Sequence, residues 1–454
     1  MTLHNNMAHG QPADQIGIAR LRKLAPRPRN LGDTGLTLEF LGDLVCKHLL
    51  NHGTLSLAEL ASLMRLSGAI VENILEFIRG EARVEVRPAR PDVPGILYAL
   101  TDRGRSTALD AMLRSGYVGP APVPLSHYSR IARRQSIHAR SVSRDEMARA
   151  FANVVLDDTL VVQLGASMNS GRAILLYGSP GTGKTFVSRH LTNVFPDATL
   201  VPHAIAVGEN VIQLFDPLIH KTLDFGLDDS DHILDRGHDP RFLVCERPAV
   251  VTGGELTAEM LEVDFEPSAR TYEAPLQLKA NNGVFVIDDL GRQRVDPRTV
   301  FNRWIVPLEE KSDFLHLQSG RHFSVPFDVV LIFSTNIHPL ELGDEAFLRR
   351  IGYKIRFSAL SPTQYEQIWR DVCLQHEVDF DPEVLDFVIN ELHGRSAVDL
   401  LPCHPRDLIG MAVDQSIYAH NVRAIDVDSM RWAWSNYFVS FKDETAKAGN
   451  VLPA

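Results

Sequence analysis

The chain has 454 residues, of which 44% are hydrophobic and 23% charged, with a formal net charge of −11. This composition excludes a disordered, collagen-like or disulfide-scaffold protein, and the length predicts two or three domains. Four cysteines without CxxC spacing, no run near the ~18 apolar residues of a membrane helix, and an opening (MTLHNNMAHGQPADQ) without an apolar core point to a cytoplasmic setting.

The charge is uneven. Residues 1–150 carry 20 Lys+Arg against 14 Asp+Glu, so the acidic excess belongs to the rest of the chain. The positive residues gather at Arg20–Arg29 and again at Arg130–Arg149, as in a module that touches nucleic acid or neutralises an acidic body. Residues 1–33 read as a flexible basic arm. Apolar residues at helical spacing then predict helices over Leu36–Leu50, Ser56–Met64 and Ser67–Arg79. Two strands, Arg83–Val86 and Ile96–Leu100, and a helix Asp102–Leu113 capped by Thr101 follow. That order is a winged helix, over residues 34–116, with a helix-turn-helix at Leu55–Phe77. Its presumed recognition helix offers Glu72, Glu76 and Glu81 but only Arg79, which favours docking to protein over DNA. Residues 117–144 read as a connector.

The strongest motif is Gly178-Ser179-Pro180-Gly181-Thr182-Gly183-Lys184-Thr185, which fits G-x-x-x-x-G-K-[ST]. The strand run Ala173–Tyr177 precedes it and the helical run Phe186–Val194 follows. The glycines let backbone N–H groups curl around a β-phosphate, and the helix turns its positive end to the anion. Lys184 neutralises β/γ oxygens, and the Thr185 hydroxyl is suited to Mg²⁺. ATP and Mg²⁺ are therefore the expected ligands.

A second strand, Gly283–Ile287, ends in Asp288-Asp289, suited to the Mg²⁺ shell and to general-base activation of water respectively. A third, Phe327–Phe333, ends in Ser334-Thr335-Asn336, and Asn336 could orient a lytic water. Leu315–Val325 reads as a hairpin with Ser319-Gly320 at its tip. The 104 positions between Lys184 and Asp288 imply an insertion near 228–272. Its residues Asp228, Asp229, Asp231, His232 and His238 are read as a solvated loop rather than a metal site. After Phe357 the chain turns helical over 358–441, leaving a tail, 442–454.

In this order the motifs, with Phe347-Leu348-Arg349-Arg350-Ile351 and His404-Pro405-Arg406-Asp407-Leu408, resemble the AAA+ ATPases over roughly residues 145–440. The resemblance implies an α/β parallel-sheet domain (145–357) with a helical lid. It also implies an arginine finger at Arg349 or Arg350, with Arg350 slightly favoured, and a lid arginine at Arg406. Guanidinium groups suit such roles because they match phosphate oxygens bidentately. Most members carry Glu where this chain has Asp289. The segments GYVGPAPVPLSHY, ANNGVFVIDDLGRQRV and PFDVVLIFSTN resemble a bacterial group of winged-helix AAA+ proteins described as chaperone-like ATPases linked to Flp pilus assembly.

The expectation is thus an ATPase that couples MgATP hydrolysis to remodelling of a protein client in a ring of copies, a hexamer on the family pattern. A DNA-associated motor or helicase loader, and a slowly hydrolysing nucleotide-dependent scaffold, are the alternatives.

Overall fold

The structure is a computed structural model, and it describes residues 23–88, 96–223, 237–342 and 345–438. Its centre is a five-stranded, wholly parallel sheet. In spatial order the strands are Ala249–Thr252, Val284–Ile287, Val330–Thr335, Ala173–Gly178 and Ile351–Phe357. The three inner strands are continuous apolar runs because both faces are covered. Phe285, Phe333, Trp304 and Leu331 fill one side, and Ile174, Leu176, Val286 and Ile332 fill the other. The strand Ala173–Gly178 has its chain-order successor at the far edge of the sheet and the last strand on its other side. The sequence therefore reverses direction across the sheet at the strand that leads into the glycine-rich loop, the place where open α/β sheets bind ligands.

One strand of that sheet corrects the sequence reading. Ala249–Thr252 falls within the stretch taken as an insertion, yet it pairs in parallel with Val284–Ile287. The long interval between Lys184 and Asp288 is instead occupied by a second β layer. There Asp264–Glu266, Thr271–Glu273, Asn210–Gln213, Ala204–Val207 and Val123–Pro124 form one sheet, and Ala198–Pro202 pairs with Phe242–Glu246. The hairpin Ser312–His316/His322–Pro326 matches the expected one, with Gly320 at φ 79° in its turn. It buries Leu315 and Val325 in the same core as Leu200, Ile205 and Phe242.

The stretch 117–144, expected as a connector, contains the helix Leu125–Arg134. Tyr128, Ile131 and Ala132 lie on one face and enter the second core, while Arg130, Arg133 and Arg134 stay exposed. Buried side chains tie this helix to the parallel sheet. Gln135 Nε2 donates to Leu200 O and to Asn282 Oδ1, both at 2.9 Å. Asn282 Nδ2 donates to Ala132 O (2.8 Å) and to Asp328 Oδ2. Arg247 donates to Gln135 O and Asn282 O and forms an ion pair with Asp197. Each polar atom so satisfied avoids the roughly 1–3 kcal/mol cost of an unpaired buried group.

Within the expected arm, Ala25 is already buried and Leu31–Thr34 is a short helix capped by Asn30; residues 1–22 lie outside the described residues. Helices Leu38–His52, Leu57–Met64, Gly68–Gly80 and Asp102–Arg114 then pack around an antiparallel sheet. Its strands, Thr54–Ser56, Leu97–Leu100 and Val84–Arg87, lie in that order. Capping explains the helix starts: Ser56 and Glu59 form a capping box, and the Thr101 hydroxyl accepts from Gly104 N. At the carboxyl end, helices Pro362–Gln375, Pro382–Asp386, Cys403–His420 and Val427–Tyr437 enclose Trp369, Leu408 and Met430. The second of these continues as a π-helix, Phe387–His393. Among the described residues, no helix is long and apolar enough to cross a membrane.

Candidate functional site

The glycine-rich loop leaves the carboxyl end of Ala173–Gly178 and enters the helix Lys184–Leu191. Two of its glycines are required by geometry. Gly178 has φ 147°, and a Cβ there would stand 2.2 Å from Phe357 O. Gly181 has φ 81°, and a Cβ there would stand 2.7 Å from Cys403 Sγ. Gly183, at φ 89°, caps the helix from outside. Ser179 and Pro180 span the turn, and the Thr182 hydroxyl donates back to Ser179 O at 2.8 Å.

Lys184 is buried, and its ammonium donates to Gly178 O and Ser179 O at 2.8 Å and to Thr182 Oγ1 at 3.3 Å. Burial pushes its pKa down, opposed by the nearby Asp289 and Asp288 carboxylates. The loop thus folds around a cation whose partners are its own carbonyl and hydroxyl oxygens, all of which a phosphate oxygen can replace. Phe186 lies in the following helix, half exposed and packed against His190 at 4.3 Å between ring centroids.

From the sheet, two further strand ends converge. The Thr185 hydroxyl donates to Asp288 Oδ1 at 2.9 Å, and Asn336 Nδ2 donates to Asp289 Oδ1 at 3.3 Å. Two hard oxygen ligands at this spacing fit a Mg²⁺ that completes its shell with phosphate and water. Among the described residues no group of three or more His, Cys, Asp or Glu is arranged for a metal. Of the His/Asp cluster read as a loop, Asp228, Asp229, Asp231 and His232 lie outside the described residues; His238 Nε2 is 3.0 Å from Phe242 O.

Asp289 adopts a left-handed backbone, φ 49°. Gln293, a residue sequence reasoning missed, holds that turn. Its amide donates to Asp288 O (2.8 Å) and Gly253 O (3.3 Å), and its Oε1 accepts from Gly291 N (2.8 Å). The clue available was a Gln four residues beyond the paired acids.

The three arginines each pair with an acid outside this cluster. Arg349 is paired with Glu345 at 2.8 Å, and its side chain is 74% exposed. Arg350 is held by Glu309 at 2.6 Å, with its side chain 28% exposed. Arg406 is 71% exposed and pairs with its neighbour Asp407. Its helix, Cys403–His420, starts beside the loop: Leu401, Pro402 and Cys403 are the residues nearest Gly181 and Gly183.

Residues 361–436 match a family described as a domain of unknown function, DUF8689. No curated protein matches the chain. Among solved structures, NtrX from Brucella abortus is 13% identical over 67% of this chain, with a TM-score of 0.40; the match spans 60% of the NtrX chain. The RuvB Holliday junction branch migration motor of Thermotoga maritima is 12% identical over 71% of this chain and 72% of its own, with a TM-score of 0.34.

Proposed function

We propose that the chain is an AAA+ ATPase: it binds MgATP at Gly178–Thr185 and hydrolyses it at a boundary between copies in a ring, a hexamer on the family pattern. The observation that carries this reading is the 2.9 Å contact between Thr185 and Asp288 beside the buried Lys184. In this reading backbone N–H groups of the loop receive the phosphates, and Lys184 exchanges its carbonyl partners for β/γ oxygens. Thr185 and Asp288 would hold Mg²⁺, which when bound withdraws charge from the phosphate oxygens. Asp289 and Asn336 orient the attacking water, and Asp289 takes its proton as the γ-phosphoryl bond to ADP breaks.

A guanidinium from a neighbouring copy stabilises the transferring phosphoryl group. The greater exposure of Arg349 favours it over Arg350, which Glu309 holds to its own subunit. Arg406 serves from the helical region 358–441, read as a lid because its Leu401–Cys403 approach touches the loop glycines. Nucleotide exchange at the loop therefore shifts the lid, the movement that would remodel a protein client. Residues 34–116 are read as a winged-helix docking domain. The exposed face of Gly68–Gly80 carries Glu72 and Glu76 against Arg79, which supports a protein client over DNA. The link to pilus assembly enters only through the resemblance.

Slow, switch-like use of nucleotide is the second reading, favoured by the engagement of Asp289 with both Asn336 and Arg292 (3.9 Å). Steady-state ATP hydrolysis across a protein-concentration series separates the two, with light scattering on the same samples and Lys184→Ala as the blank. Specific activity that rises with assembly is expected. Tight binding without turnover at any concentration would establish the switch.

A further inference from the structure

A cavity of about 470 Å³ opens where the segment from Ala25 to Asp33 meets the helix Leu125–Arg134 and the Asp239–Phe242 turn. It shares no residue with the glycine-rich loop. Arg27, Arg29, Arg130 and Arg241 line it against Asp33 and Asp239, an excess of two positive charges. Both carboxylates are already occupied. Asp239 receives the buried Arg241 guanidinium through Nε (3.1 Å) and Nη2 (2.8 Å), and Arg241 Nη1 reaches Thr34 O at 3.0 Å. Asp33 Oδ2 accepts from the backbone N of Arg29 at 2.9 Å.

Among the described residues, the guanidinium groups of Arg27, Arg29 and Arg130 are thus left without a carboxylate. Arg27 Nε is a buried donor with no acceptor. Such a donor costs free energy until an acceptor enters, and buried polar groups of this kind are rare. His127 lines the same cavity and registers the field there. Burial lowers its pKa, and Arg130 and Arg241 lower it further against the pull of Asp239. The volume lies in the range of small-molecule sites, roughly 300–1,000 Å³. Guanidinium forks match phosphate oxygens bidentately, and three around one cavity, two from the segment and one from the helix, suit more than a single negative charge.

We propose that this cavity binds a small ligand bearing two or more phosphate groups, gripped by Arg27, Arg29 and Arg130 and independent of the glycine-rich loop. An open recess of this size accommodates a nucleotide-sized molecule.

Titration calorimetry of the full-length Lys184→Ala chain with inorganic pyrophosphate reads this site with the loop disabled. Saturable one-to-one binding is expected, weakened at least tenfold by Arg27→Gln with Arg130→Gln in the same background. Arg130→Lys, which keeps the charge but loses the fork, should weaken binding less than Arg130→Gln. Circular dichroism melts establish that the variants fold. If Lys184→Ala does not, Lys184→Gln, which keeps the length of the buried side chain, replaces it. No binding, or binding that the arginine pair does not alter, overturns the proposal. So does displacement of pyrophosphate by a short DNA duplex through the same arginines, which would assign the surface to polynucleotide.

Discussion

Thr185 and Asp288 stand 103 residues apart in sequence, yet the threonine hydroxyl donates to the aspartate across 2.9 Å. Most of the second β layer is inserted between them without disturbing the contact, because Asp288 follows the carboxyl end of one strand of the parallel sheet and Thr185 opens the helix that follows the end of another. If this pair holds Mg²⁺, nucleotide affinity should depend on the metal through Asp288. For wild type, a fluorescent ATP analogue should bind more tightly with Mg²⁺ than with EDTA. Asp288→Asn should lose that difference, by at least the roughly 10- to 100-fold that even an outer partner of a metal ligand is worth. An Asp288→Asn chain that retains the Mg²⁺ effect would remove the residue from the metal site.

Asp289 occupies a left-handed backbone that long side chains adopt poorly and Asp or Asn adopt more readily. This gives a physical reason for Asp where the resembling family most often has Glu. Asp289→Asn keeps the backbone preference and removes the charge, so urea stability should stay within about 0.5 kcal/mol while ATP turnover is lost. Asp289→Glu should lower stability by up to about 1 kcal/mol, within the cost of the left-handed region. Full turnover by Asp289→Asn would exclude a base role.

Arg349 and Arg350 differ in exposure despite adjacent positions. The Arg349 pair with Glu345 is exposed, so Arg349→Ala should change stability by less than about 1 kcal/mol. Its ATP turnover should fall by about 10³-fold with nucleotide affinity intact. Adding a Lys184→Ala chain, which supplies Arg349 but no working loop, should restore activity to mixed assemblies. Turnover unchanged in both single variants and the double would end the finger assignment.

The loop and its strand were legible because they depend on local chemistry: glycines where positive φ is needed, an apolar run before, a helical run after. The Asp288 and Asn336 strands were legible for the same reason. What the sequence hid is held by distant pairing. Ala249–Thr252 is a four-residue edge strand with alternating burial, too short to announce a period. Val123–Pro124 becomes a strand only through Ile205–Ala206, more than 80 positions away. In Leu125–Arg134 the arginines drew attention from a plain signal, Tyr128, Ile131 and Ala132 at helical spacing. The exposure that separates Arg349 from Arg350 depends on where Glu309 falls in space, which no spacing encodes.

Acid sensitivity follows from buried histidines. His203 and His404 both have pKa values pushed down to about 4, first by burial. Arg65 adds to the shift at His203, and His393 adds at His404 against Asp407. In the unfolded chain each returns to about 6.5. Between those values the unfolded state binds protons that the folded state refuses, so stability rises with pH and is lost as pH falls from about 6.5 toward 4. His48, His220 and His393 shift in the same direction. Glu146 and Asp197 have depressed values, so their contributions fail only below the ordinary carboxylate range and do not confuse a comparison of pH 7.5 with pH 5. The urea midpoint should therefore drop at pH 5, by the equivalent of roughly 1–2 kcal/mol after allowance for solvent screening. His404→Phe, which keeps an aromatic ring among His393, Tyr437 and Phe438, should show a shallower pH slope than wild type. A midpoint that holds or rises at pH 5 would mean these histidines are protonated in the fold.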